Sequence, residues 1–379
     1  MSKQSREFQV FIKPAGAECN LRCEYCYYLQ KKELYKNVRL QLMSEAILEK
    51  YIIDLIGATT EKDIFFSWHG GEPTIAGLEF FRKAVTLQKK LIPKDRNIVN
   101  GIQTNATLLN EDWCRFLADE NFFAGVSIDG PEELHNTYRI SKDKTGSFRK
   151  TLNGYHLLKK HNVRTELLTV VSSVNAGFPK EVYSFLKELG SEYITFLPLV
   201  QRDAGSDSGA SKISVQDDAF GSFLITVFDE WVSEDIGKIK IQIIEEALRS
   251  AFNQDHTLCL FKRTCGGVPV VEHNGDFYSC DHFVDKEHLA GSINEISLSE
   301  MLDSPRQKSF GLSKLKDLPK YCLECEVLKM CNGECPKNRF IKTPSGESGL
   351  NYLCSGYRKF FNHISPFANA ISEVWSKQK

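Results

Sequence analysis

The sequence predicts an α/β protein with a parallel sheet, followed by a second region rich in cysteine. Three observations predict it. Six short β-rich runs alternate with longer helical patterns, the cysteines gather towards the two ends of the chain, and the composition is that of an ordinary globular protein. The 379 residues allow two domains. With 42% hydrophobic and 26% charged residues the chain carries enough apolar side chains for two cores, which excludes a disordered or fibrous class.

The six runs are FQVFIKP, DIFFSWHG, NIVNGIQTN, FFAGVSIDG, VRTELLTVVSS and YITFLPLV. Between them lie helical patterns, including EAILEKYIIDLI after the N-cap candidate Ser44, GLEFFRKAVTLQKKLI after Pro73, and FRKTLNGYHLLKKH after Gly146. Six βα units in series imply parallel pairing, either doubly wound or curved into a partial barrel, and in both cases ligands sit at the carboxyl ends of the strands. The Gly/Ser/Asp-rich stretch QRDAGSDSGASKIS then reads as a surface loop, and QDDAFGSFLITVFDEWV as a helix. A boundary near 235 divides the chain into domains 1–235 and 236–379. In the second, VPVVEHNGDFYSCD reads as a hairpin turning at Asn274 and Gly275. The remainder reads as short, cysteine-punctuated segments that need metal to fold.

Charge and apolar runs limit the partners. Forty-eight Lys and Arg against 49 Asp and Glu leave a net charge of -1, which gives no electrostatic reason to expect nucleic acid or an anionic membrane. The N-terminal MSKQSREFQVFIKPAG has no apolar signal core, and no run approaches the roughly 18 apolar residues of a spanning helix, so the expected location is cytoplasmic. In a reducing compartment twelve cysteines point to metal or redox chemistry rather than to disulfides.

Directly after the first run stands Cys19-Asn-Leu-Arg-Cys23-Glu-Tyr-Cys26. A structural zinc site closes with four protein ligands, whereas three thiolates on a four-iron cluster leave one iron open to a small molecule. Zinc with a distant fourth ligand is the competing reading. This CxxxCxxC loop resembles the signature of the radical S-adenosylmethionine (SAM) enzymes, which implies a partial (β/α)6 barrel. It also implies a four-iron cluster on Cys19, Cys23 and Cys26, and SAM bound at its open iron. His69-Gly70-Gly71-Glu72-Pro73 at the end of the second run resembles the family's GGEP element. The same resemblance assigns Tyr25 to the adenine, Gly71 to the amino group, Ser127 and Arg139 to the polar end of the cofactor, and Val200 to hydrophobic contact. Read by itself, Arg139 is equally a surface arginine.

The later cysteines run Cys259-x5-Cys265, Cys280, Cys322-x2-Cys325-x5-Cys331-x3-Cys335 and Cys354. This pattern resembles the SPASM extension of peptide-modifying radical enzymes. The resemblance implies one auxiliary four-iron cluster on Cys259, Cys265, Cys280 and Cys335, and another on Cys322, Cys325, Cys331 and Cys354. Two zinc sites with the same ligands are the alternative chemistry. Cys114, within EDWCRFLADE, is left over as packing.

From FIKPAGAECNLRCEYCYYL through SWHGGEP, IQTNATLL, SIDGP, CDHF and CLECEVLKMCNGECP to NYLCSGY, the chain looks like the anaerobic sulfatase-maturating enzymes. That resemblance implies oxygen-independent oxidation of a Cys or Ser in a sulfatase to Cα-formylglycine, within a Cys/Ser-x-Pro-x-Arg motif and with an electron donor such as flavodoxin or ferredoxin. It places the catalytic base at Asp281, directly after Cys280, with a suitably raised pKa; the competing role is a hairpin cap. His282 is the alternative base, and His69 and Tyr28 are candidates for touching the peptide. Two other functions remain open: a SPASM maturase that forms thioether or carbon-carbon crosslinks in a ribosomal peptide, and a non-catalytic metal-bound scaffold.

Overall fold

The computed structural model describes residues 8–36 and 42–377; residues 1–7 of the polar N-terminus read above lie outside these. Among the described residues the strands occur in the order β1 Phe11–Ile12, β2 Asp63–Trp68, β3 Asn97–Thr104, β4 Phe123–Ser127, β5 Arg164–Val171, β6 Tyr193–Pro198, β7 Lys240–Ile241, β8 Val270–Val271, β9 Asp276–Tyr278 and β10 Leu289–Ser292, with a short antiparallel pair, β11 Ile341–Lys342 and β12 Ser348–Leu350, after them. The first six coincide with the six β-rich runs. By internal contacts the chain forms two compact units, and neither is one continuous stretch.

The first unit comprises Met1–Ser127, Tyr138–Thr165 and Cys265–Gly311. Its strands β1 to β4 are parallel neighbours in sequence order. On the other side of β1 lies β8, also parallel, with Phe11 opposite Val270 and Ile12 opposite Val271. Strands β8 and β9 form the hairpin expected around Asn274 and Gly275, where Gly275 adopts a φ of 91° that an L side chain rarely takes. The pairing of β8 on β1 therefore brings the Cys280–Asp281 segment into the same unit as the three-cysteine loop.

Helices α1 Glu45–Ala58, α2 Leu78–Leu91 and α3 Glu111–Asp119 alternate with these strands. Ser44 caps α1 by accepting from Ile47 N, as its sequence position predicts, and Asn110 caps α3 from Trp113 N. Their apolar faces close on an aromatic core in which Phe81 lies 5.3 Å from both Trp68 and Trp113. Fully burying a side chain of this kind contributes ~1.5–3 kcal/mol. The indole N–H of Trp68 donates to Asn100 Oδ1 at 2.9 Å, and Gln88 and Asn100 exchange amide bonds, so these three polar side chains satisfy one another.

The second unit comprises Ile128–Thr137, Glu166–Thr264 and Leu312–Lys379. Strands β5, β6 and β7 pair in parallel within it. Its main helical contact is between Asp217–Glu234 and Cys354–Lys377, which touch at facing glycines: a Cβ on Gly221 would stand 2.7 Å from Gly356 Cα. Phe220 on Tyr357 and Phe228 on Phe367 flank that contact. The Cys354–Lys377 helix corrects the expectation of short segments only. Its 24 residues contain Pro366, whose ring removes one helical hydrogen bond without ending the helix. Among the described residues no helix is long and apolar enough to cross a membrane.

Candidate active site

The three-cysteine loop leaves β1 through two tight turns, with Gly16 N donating to Lys13 O and Glu18 N to Ala15 O. It is then pinned from the side by Arg22 N to Ile140 O at 2.7 Å and Glu24 N to Tyr138 O at 3.0 Å. Cys19, Cys23 and Cys26 are free thiols, partly exposed. The Cys19 thiol is pushed up to about 12, first by burial, then by the Glu72 carboxylate and by its two fellow cysteines. Such a thiol keeps its proton at neutral pH until a cation replaces it, and three thiols on one loop are the number that leaves a four-iron cluster one open coordination position. Two N–H groups already point at Cys19 Sγ, from Leu21 N at 3.4 Å and Asn105 Nδ2 at 3.8 Å.

Beside the loop, Gly71 donates its N–H to Gly16 O at 2.9 Å. Glu72 was not among the residues singled out from sequence, yet it is the polar hub here, 1% exposed. Its Oε1 accepts from Thr74 N, Thr74 Oγ1 and Thr104 Oγ1, and its Oε2 from Asn105 N at 2.8 Å. These bonds tie the end of β2 to the end of β3. Burial raises its carboxyl above the usual range, and the four donors act against that rise. The GGEP spelling was the available signal, since an acid set among glycines at a strand end has few reasons to be buried.

Of the five residues assigned to SAM by resemblance, four lie in the first unit. Tyr25 is buried, edge-on to Tyr138, with the Arg139 guanidinium 5.4 Å from its ring centroid. Arg139 is 6% exposed, which rules out the surface-arginine reading. Ser127 Oγ accepts from Gln103 Nε2 at 3.0 Å, and Gly71 stands in the turn after β2. Val200 belongs to the second unit, where its carbonyl accepts from Lys337 Nζ at 3.0 Å.

Asp281 is buried between two donors. Lys13 Nζ lies 2.5 Å from Oδ1, and the Tyr27 hydroxyl donates to Oδ2. The expectation of a raised pKa is reversed: burial pushes the carboxyl up, but the Lys13 ammonium, helped by His282, Tyr27 and its own hydrogen bond, brings it down to about 2. At that value Asp281 carries its negative charge rather than a proton. His69 stacks on Phe11 with ring centroids 3.8 Å apart and is held down to about 3 by burial and then by Lys13, so it is neutral. Tyr28 is buried and donates its hydroxyl to Glu272, which points it away from a peptide-contact role. Lys13 carried no signal in the sequence beyond its place at the end of a strand.

In the second unit Cys322, Cys325, Cys331 and Cys354 line one small cavity together with Tyr321, Leu328 and Arg358. Four thiols are the number that a fully ligated cluster takes. The loop from Cys331 to Cys335 is shaped by three successive left-handed residues, Asn332, Gly333 and Glu334. Cys259 and Cys335 are also in this unit, while Cys265 and Cys280 are in the first. The Cys259 loop is anchored by Glu246, which accepts from Thr257 N and Leu258 N and pairs with His256 at 2.8 Å; His256 in turn reaches Lys329 O at 2.9 Å. Cys114 is fully buried in α3, in the packing role expected of it.

Comparisons with known proteins agree with this geometry. The radical SAM superfamily model matches residues 15–190, and an iron-sulfur cluster-binding domain model, SPASM, matches 259–326. A serine-type anaerobic sulfatase-maturating enzyme of Bacteroides thetaiotaomicron is 44% identical, with 99% of this chain and 94% of that relative covered. A cysteine-type anaerobic sulfatase-maturating enzyme of Clostridium perfringens is 31% identical over 94% of this chain and 96% of that relative. Among solved structures, native anSMEcpe with bound AdoMet and Cp18Cys peptide superposes with a TM-score of 0.86 at 30% identity, covering 96% of this chain and 99% of that one. Streptococcus suis SuiB bound to S-adenosylmethionine, at 16% identity and a TM-score of 0.63, shares the fold.

Proposed function

The chain belongs to the anaerobic sulfatase-maturating enzymes of the radical SAM superfamily, and on that footing we propose that Asp281 is the base of its reaction. The reaction is the oxygen-independent oxidation of a specific Cys or Ser in a sulfatase polypeptide to Cα-formylglycine. Its cofactors are SAM and four-iron clusters, and its substrate is a peptide. The crosslinking and scaffold functions are not favoured by relatives this similar.

The finer assignments rest on the resemblance of this chain's motifs to those of the family. Domains 1–235 and 236–379 divide the work into radical generation and auxiliary cluster binding. Cys19, Cys23 and Cys26 hold the cluster that binds SAM. Cys259, Cys265, Cys280 and Cys335 hold one auxiliary cluster, and Cys322, Cys325, Cys331 and Cys354 the other, three clusters in all. The shared cavity of the last four supports that set. When bound, the first cluster and SAM together supply a 5'-deoxyadenosyl radical that removes a Cβ hydrogen from the target residue. Tyr25, Gly71, Ser127, Arg139 and Val200 orient the cofactor. The target sits in a Cys/Ser-x-Pro-x-Arg motif, and a flavodoxin or ferredoxin donates electrons.

One observation carries the base assignment: the Asp281 carboxylate lies between the Lys13 ammonium and the hydroxyl of Tyr27, the residue that follows Cys26. An ionised carboxylate takes the hydroxyl or thiol proton that must leave as the carbon–oxygen or carbon–sulfur double bond forms. The test is anaerobic incubation of the iron-reconstituted protein with SAM, a reductant and peptides carrying either form of the motif. Mass spectrometry should find an aldehyde-bearing peptide and 5'-deoxyadenosine together. Deoxyadenosine with an unchanged peptide would remove the sulfatase substrate from the account.

A further inference from the structure

Lys13 is a buried charge whose only part in the site described so far is its pairing with Asp281. Its backbone is fixed on both sides, N–H to Val271 O and carbonyl to Gly16 N, both at 3.0 Å. Its side chain is 2% exposed, with the ammonium 4.3 Å from the centroid of the Tyr28 ring and 2.5 Å from Asp281 Oδ1. A buried ion pair is weak support for stability, because well-packed apolar residues in its place are often neutral or stabilising. The pair therefore calls for a reason beyond folding.

The two oxygens of Asp281 are unlike. Oδ1 faces the buried ammonium, a side closed by the Phe11 and Tyr28 rings. Oδ2 faces the Tyr27 hydroxyl, and since Oδ1 is wholly buried, the 12% of the Asp281 side chain that is exposed lies elsewhere than at Oδ1. We infer that Lys13 is a positioning residue of the oxidation: its ammonium pins Oδ1 so that Oδ2 is the atom offered to the substrate hydroxyl or thiol. The inference rests on Asp281 being the base. In that step the substrate O–H or S–H bond breaks, an H–Oδ2 bond forms, and the remaining electron passes to an oxidised iron–sulfur cluster.

The test compares Lys13→Met, Lys13→Arg and Asp281→Asn, reading iron content, SAM cleavage, peptide KM and the ratio of aldehyde formed to deoxyadenosine released. Lys13→Met should keep its iron, its cleavage and its KM. Its product ratio should fall about tenfold or more, a share of the 10²–10⁴ that a general base contributes, and Lys13→Arg should recover most of it. If Lys13→Met loses iron, Lys13→Gln, which keeps a donor but not the charge, is read in the same way, and an equal fall is required. A wild-type ratio in either uncharged variant, with Asp281→Asn inactive, would overturn the role of Lys13 and leave the base standing. An active Asp281→Asn would instead overturn the base.

Discussion

Gly71 lies against Glu18 so closely that a Cβ at position 71 would stand 2.3 Å from the Glu18 carbonyl oxygen and 2.6 Å from its carbon. Nothing flexible lies in the way, since both atoms are backbone. The turn after β2 is thereby pressed onto the loop that carries the three cysteines.

Gly71→Ala should separate cluster binding from cofactor use. The added methyl must move the turn or the loop, while the thiols themselves are untouched. Iron content should stay near wild type, and the affinity for SAM, measured by equilibrium binding to the reconstituted protein, should fall about tenfold or more, equivalent to ~1.4 kcal/mol. Unchanged affinity would remove Gly71 from the cofactor site.

The six strands were legible because each is a short apolar run bounded by turn residues. What stayed hidden depended on contacts distant in sequence. Lys13 reads as an ordinary strand-end lysine until β8 pairs with β1 and brings Asp281 beside it. The same pairing reversed the expected pKa of Asp281, since a carboxylate's environment cannot be seen in its neighbours along the chain. The Cys354–Lys377 helix escaped notice because it starts on a cluster cysteine and contains Pro366, two signals that ordinarily mark a break.

Tyr27→Phe removes the donor on Oδ2 and leaves the ring in place. A hydrogen bond to a charged group is worth about 1.5–3 kcal/mol, so the variant should show altered steady-state product formation with normal SAM cleavage. Product and deoxyadenosine measured on the same samples decide it; equal losses of both would place Tyr27 in cofactor handling instead.

The pH dependence should show no histidine limb from His69. Its folded pKa is depressed to about 3, against 6.5 for the ordinary side chain, so it stays neutral across the working range. The sign follows from linkage: the unfolded chain binds the proton first, so its contribution to stability is present above about 6.5 and declines as pH falls towards 3. His69→Gln should therefore leave the shape of the pH–rate curve between about 6 and 8 unchanged. Loss of an acidic limb in that variant would contradict a neutral His69.

Cys354→Ala and Cys114→Ala should differ in iron. The first removes one of four thiols lining a shared cavity, and iron per chain should fall by one cluster's content. The second empties a packed position in α3 and should retain all iron, with a melting temperature lowered by the equivalent of ~1 kcal/mol for the small cavity left behind. Equal iron in both variants would contradict the assigned ligand set.

The most direct test of the central claim follows one hydrogen. A motif peptide deuterated at Cβ of its target residue is turned over anaerobically by wild type and by Asp281→Asn, and deoxyadenosine and peptide are both weighed. Deuterium should appear in the deoxyadenosine from both proteins, and aldehyde should form with wild type alone. Deoxyadenosine free of deuterium, or aldehyde formed by the Asn variant at the wild-type rate, would contradict the claim.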